Sequence, residues 1–120
     1  MAGTLVANTI NTDTGLFNTN NAYLGIAKAW VNYNGNTQTV TNSFNVSSVT
    51  YSSSGTYTIN FATAMPNANY CVTGMCDNSN HNGYMVVNGT PTTTSLPVQV
   101  FQSGSGNYNT TYVYIAILGN

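Results

Sequence analysis

Gly55-Thr56-Tyr57-Thr58-Ile59-Asn60-Phe61 is the stretch whose reading decides the fold. Tyr57, Ile59 and Phe61 fall on one side of an extended chain, and Thr58 and Asn60 fall on the other. An apolar period of two marks a strand with one face buried. Just before it, Ser52-Ser53-Ser54-Gly55 reads as a short hairpin loop containing Gly. Phe44 and Val46 begin the partner strand, which continues through Val49 and Tyr51. Just after it, Met65-Pro66-Asn67-Ala68 breaks the strand, because Pro has no N–H to give to a ladder.

The same period recurs outward in both directions. Ala27, Ala29, Val31 and Tyr33 share one face of Ala27–Tyr33, with Trp30 turned the other way, and Asn34-Gly35 turns the chain. Further strands are expected at Tyr70–Met75, Tyr84–Val87 and Leu96–Phe101, the last with Pro97 at its start or on a sheet edge. Tyr112–Leu118 is apolar on both faces, which predicts a central strand covered on both sides. Asp77–Gly83 and Ser103–Asn109 read as loops. Helix support is thin: the chain has no Glu, no Arg and one Lys, while Asn, Thr, Ser and Gly dominate. Seven to nine short strands with frequent turns predict an all-β chain, an antiparallel β-sandwich that is jelly-roll-like. Residues 27–120 form its single domain. Residues 1–26 alternate only weakly and read equally as an N-terminal arm or as the first strand.

Charge sets the limits on function. Lys28, Asp13 and Asp77 are the only formal charges in 120 residues, 2% of the chain against about 25% in ordinary proteins. Such a chain cannot neutralise a row of phosphates, which excludes nucleic acid as a partner. Electrostatic attachment to anionic membrane lipid fails for the same reason. No run approaches the length of a membrane-spanning helix, and Met1-Ala2-Gly3-Thr4 has no basic start of a signal peptide. Polarity comes instead from 20 Asn, 19 Thr and 10 Ser. A free monomer near zero net charge tends to self-associate, so the charge deficit points to life inside an assembly.

Reactive chemistry has little to work with. Paired carboxylates would need Asp13 and Asp77, which lie in unrelated sections, and a Ser-His-Asp arrangement would need His81 with one of them. No Gly-x-Ser-x-Gly elbow frames a nucleophile, and no catalytic residue is assigned. Cys71, Cys76, Asp77 and His81 cluster in sequence, yet neither a Cys pair nor a His pair has the usual metal-ligand spacing. Cys71 is expected to point into a sheet as a small hydrophobe. A Cys71–Cys76 disulfide is opposed by their opposite faces on a continuous strand. No metal and no cofactor is expected.

At this point the residues resemble a known family. Ala27-Lys28-Ala29-Trp30-Val31-Asn32-Tyr33-Asn34-Gly35 is similar to the "KAWVNFNG" opening of phage tail-fibre C-terminal domains and related virion proteins. Ser43–Thr50 resembles its "S-x-N-V-S-S-[VI]-T" stretch. Gly55–Phe61 and Ala64–Tyr70 resemble "G-x-Y-T-[VI]-N-F…A-M-P-x-A-N-Y", and Tyr112–Ile117 its closing aromatic–aliphatic strand. The resemblance implies a location on the virion surface, β-structure and homotrimeric display. It leaves two roles open. One is a capsid decoration (cement) protein on the major capsid protein, favoured because no shaft precedes the module. The other is a tail-fibre or tail-tip module, carried by a tail protein, that recognises host surface glycan.

Two sets of contact residues follow. Leu5, Val6, Ile10, Leu16 and Phe17 are the candidates by which an N-terminal arm clips onto a neighbour, by strand addition that needs no charge. Among nine tyrosines, Tyr33, Tyr57, Tyr70 and Tyr114 occupy strand positions suited to a core or subunit interface. Tyr23, Tyr84 and Tyr108 lie near loops and are the candidates for exposed contact with a glycan. Trp30 enters a second layer or lies at an interface.

Overall fold

The computed structural model describes residues 3–4, 6–7, 9–12, 15–77, 83–104 and 106–119, with 10–12 and 15–21 described by backbone alone. Strands β1 (Thr9–Thr12) and β2 (Gly15–Asn18) form a small hairpin, with Ile10 opposite Phe17. The short helix α1 (Thr19–Gly25) follows. The rest is strand: β3 (Ala27–Asn34), β4 (Thr39–Phe44), β5 (Val46–Ser53), β6 (Thr56–Phe61), β7 (Cys71–Cys76), β8 (Gly83–Val87), β9 (Ser95–Gln102), β10 (Gly106–Asn107) and β11 (Val113–Leu118). Two antiparallel sheets result. One has the order β4–β3–β11–β7; the other runs β5–β6–β9, with β8 on the far side of β9 and β10 beside its end. The expected all-β, β-sandwich-like architecture is what forms.

The core shows why the alternation matters. Each of the four inner strands buries three side chains at every second position: Ala29, Val31 and Tyr33; Tyr57, Ile59 and Phe61; Leu96, Val98 and Val100; Val113, Ile115 and Ile117. Fully burying one such side chain contributes about 1.5–3 kcal/mol relative to leaving it in water. The edge strands β4, β5, β7 and β8 bury none as deeply. Met65 and Tyr70 close one end of this core from the segment after β6. There the Met65 N–H donates to Thr93 O (2.7 Å), and the Tyr70 hydroxyl lies 3.0 Å from Thr92 O and 3.2 Å from Ser95 O.

Asn109 fastens the other end. Its Oδ1 accepts from the Gly55 N–H (2.9 Å) and from the Tyr57 hydroxyl (3.0 Å). Gly55 is required here on two counts. It turns at φ 67°, and an added Cβ would stand 2.7 Å from Tyr108 O. Across the layers, the rings of Tyr33 and Tyr57 meet edge to face at 5.1 Å. The Tyr57 hydroxyl is satisfied by Asn109, whereas the Tyr33 hydroxyl has no hydrogen-bond partner among the described residues.

Four readings of the sequence are corrected. Phe44 ends β4 instead of opening the next strand, because Asn45 turns left-handed (φ 53°) and carries the chain from one sheet to the other. The Asn45 amide holds that crossing: its Nδ2 donates to Lys28 O and Thr63 O (each 3.1 Å), and its Oδ1 accepts from the Thr63 N–H (2.7 Å). A helix exists at α1, where Ala22 and Leu24 supply helix formers and Gly25 ends the run. Cys71 is exposed on an edge strand and does not point inward. Finally, β11 is central between β3 and β7, but only its inward face is covered: Tyr114 is 41% exposed.

Candidate functional site

The uncovered face of the β4–β3–β11–β7 sheet is the principal candidate surface. Register fixes its layout. Phe44, Trp30, Ala116 and Thr73 face one another in one row across the four strands, and Asn42, Asn32, Tyr114 and Met75 form the next row. All eight are at outward positions: on β3 and β11 their neighbours in sequence carry the core, and the register sets the β4 and β7 residues opposite them on the same face. Ala116 and Thr73 are small, so an open groove of ≈ 460 Å³ runs between the walls made by Trp30, Tyr114 and Met75.

Exposure on this face is unusual for apolar groups. Met75 is 69% exposed, Phe44 53%, and Tyr112 and Tyr114 lie stacked nearly parallel with centroids 5.9 Å apart. The groove's lining includes no charged side chain. It offers ring faces, a thioether and the amide and hydroxyl of Asn32 and Thr73. Those groups support van der Waals contact and uncharged hydrogen bonds.

The two described charges sit at the margins. Lys28 lies with its ammonium 3.2 Å from the Tyr23 ring centroid and donates to Tyr23 O, so the single basic group is held at the α1–β3 junction. Asp77 follows β7; its carbonyl accepts from the Tyr108 hydroxyl (2.8 Å) and the Thr110 hydroxyl (3.4 Å).

The predicted contact tyrosines are placed apart. Tyr23 is half-exposed on α1 with Lys28 over its ring. Tyr84 is half-exposed on β8, stacked on Phe101 at 5.4 Å and 15° on the outward face of the other sheet. Tyr108 is partly buried, and its hydroxyl is engaged with Asp77 O; burial and the neighbouring Cys76 push its proton affinity up. These three do not form one site. Among the expected interface tyrosines, Tyr33, Tyr57 and Tyr70 are core residues and Tyr114 faces outward. Of the arm candidates, Leu5 lies outside the described residues, as do the side chains of Ile10, Leu16 and Phe17; Val6 is 88% exposed.

Both cysteines are free thiols on opposite faces of β7. Burial raises the Cys76 thiol, partly offset by its hydrogen bond with Tyr108. His81 and Asp13 lie outside the described residues, and among the described residues no three His, Cys, Asp or Glu side chains gather into a group able to hold a metal.

Sequence reasoning missed Phe44 and Met75 as surface groups. A signal was present in β11: apolar residues at both alternations mean that a second face needs covering, and the cross-strand partners of that face inherit the need. Comparison with protein-family models, with curated proteins and with solved structures gives no match.

Proposed function

We propose that this chain is a non-enzymatic phage virion protein, a capsid decoration (cement) protein that forms a jelly-roll-like homotrimer and bridges major capsid protein subunits on the particle surface. One observation carries the reading: a sandwich with a complete core keeps an uncharged apolar sheet face in solvent. A protein that ends its work as a docked, neutral building block needs such a surface. A monomer in free solution is harmed by it.

The stretches that resemble virion modules support the same reading, because each builds a mechanical part. Ala27–Gly35 makes β3 and its turn, and Ser43–Thr50 holds the Asn45 crossing. Gly55–Phe61 makes β6, Ala64–Tyr70 closes the core, and Tyr112–Ile117 supplies most of β11. Contacts of this kind are insensitive to salt, and several weak contacts from one oligomer add into permanent attachment by avidity. Particles carrying a labelled copy test the proposal: many copies spread over the head are expected, and a few copies confined to the tail would overturn it. Removing residues 1–20 is expected to lower occupancy if the N-terminal arm clips a neighbour.

A second reading has its own observation. The parallel Tyr84–Phe101 pair stands beside Gln99 on an outward face rich in hydroxyls, which suits host glycan recognition by a tail-tip module. Binding of host-surface polysaccharide to the purified protein, lost in Tyr84→Ala, would favour it.

A further inference from the structure

We infer that the outward face of the β4–β3–β11–β7 sheet is where copies of this chain meet one another. The inference rests on the assembly reading above and gives the assembly its surface.

The size of the patch is right for a contact. Phe44, Tyr112, Tyr114 and Met75 are between 41% and 69% exposed. Large side chains of this kind present roughly 150–250 Å² each, so these four alone leave on the order of 400 Å² in water. That is the scale of the largest patch on an ordinary monomer, and about half of what one partner contributes to a standard interface. Trp30 and Ala116, with Asn32, Asn42 and Thr73 around them, lie on the same face and extend it.

The chemistry selects the occupant. Nothing in the groove can pair an ion. A partner of ordinary composition, about a quarter charged, would strand charged side chains against Trp30 and Tyr114, and each buried unpaired ion costs several kcal/mol. This chain brings almost none. Neither of its two described charged side chains lines the groove: Lys28, two residues before Trp30 on β3, is held on Tyr23, and Asp77 follows the end of β7. A second copy therefore meets the face with ring surfaces and uncharged amides, and no like charges oppose each other across the centre. β11 makes the same point from within the chain. A strand apolar on both alternations, central in its sheet, is completed only when something apolar lies on its second face.

Trp30, the single tryptophan, lines the groove and reports on its coverage. Purified full-length protein in sedimentation and light scattering is expected to have a mass that is a multiple of 12.7 kDa. On dilution, Trp30 emission is expected to shift to the red as the mass falls to that of one chain. Met75→Lys with Tyr114→Lys, which places ions in the groove, is expected to give folded monomer. Thr58→Lys on the opposite outward face is expected to leave the oligomer intact. A wild-type chain that stays monomeric overturns the inference, including one that binds capsid protein through this face. So does an oligomer that dissociates without any change in Trp30 emission, a readout that holds even if the doubly charged variant fails to fold. So does a folded double variant that keeps its oligomer. A solution oligomer absent from particles would overturn the virion reading and leave this inference standing.

Discussion

The two outward faces of the molecule share a strand geometry and differ in chemistry. Towards the middle of the β5–β6–β9 face the outward polar side chains satisfy one another, with the Tyr84–Phe101 pair at its β8 side. Asn60 Nδ2 donates to Ser48 Oγ (3.0 Å) and Thr50 Oγ1 (2.9 Å), and Gln99 Nε2 donates to Thr56 Oγ1 (3.1 Å). On β4, β3, β11 and β7 the corresponding positions hold Phe44, Trp30, Tyr114 and Met75. Both faces back onto one core, made by the inward strand positions and closed by Met65 and Tyr70. The difference teaches that folding constrains one alternation of each strand, and that the other is left free for water or for a partner.

That comparison breaks first if the sheets do not share their core. Ile59→Ala in one sheet and Ile117→Ala in the other should each cost about 2–5 kcal/mol, within a single cooperative transition in urea. Two separate transitions would mean that each sheet stands alone, and the contrast between faces would lose its common base.

Alkali sharpens the distinction between inward and outward phenols. Burial raises the proton affinity of Tyr57 above all, with Tyr33 and Tyr51 adding to it; burial likewise raises Tyr33, Tyr70 and Tyr108, and the Cys76 thiol. The sign follows from linkage. As pH rises past the ordinary thiol and phenol values, about 8.5 and 10, the unfolded chain releases protons that the folded chain retains, so stability falls. The urea midpoint should decline progressively above about pH 8.5, with a shallower decline in Tyr57→Phe. A midpoint that rises with alkali would contradict the burial of these groups.

A smaller effect separates the two tyrosines that meet across the layers. Tyr57→Phe removes a hydrogen bond to Asn109 and should cost about 1 kcal/mol, whereas Tyr33→Phe removes a hydroxyl without a described partner and should be neutral or stabilising. Equal losses in chemical denaturation would refute the distinction. The smallest effect belongs to the hydrogen-bonded outward face. Thr58→Val should change stability by no more than about 0.5 kcal/mol.

Much of this was legible in the sequence, and the limits are physical. Tyr57, Ile59 and Phe61 alternate with polar residues, so their burial follows from period alone, and the same is true of Ala29, Val31 and Tyr33. The hairpin at Ser54-Gly55 is readable because Gly suits its left-handed turn. β4 was not readable: Thr39–Phe44 is an edge strand with almost no buried side chain, and it carries no apolar period. Asn45 was hidden because a positive φ at a non-glycine residue leaves little trace in composition. The candidate face was half visible. The double apolarity of β11 announced a second apolar side, but only register shows that Phe44 and Met75 belong to it. The Tyr23, Tyr84 and Tyr108 group failed to converge because proximity to loops says nothing of which sheet a residue joins.

The placement of β11 bears on how the protein is made. This strand comes after all the other described strands, yet it lies inside its sheet, and among the described residues β3 and β7 have no ladder with each other without it. During synthesis, at roughly 5–20 residues per second, the ribosome displays both neighbours for seconds before their common partner emerges. The decisive pairing joins residues some eighty positions apart, the kind of distant closure that slows folding. A polypeptide interrupted before Val113 would lack the inner strand of one layer, leaving Val31 and Tyr33 uncovered and no finished surface to present. The order of translation thus acts as a checkpoint, withholding the completed β4–β3–β11–β7 sheet until the message has been read through β11.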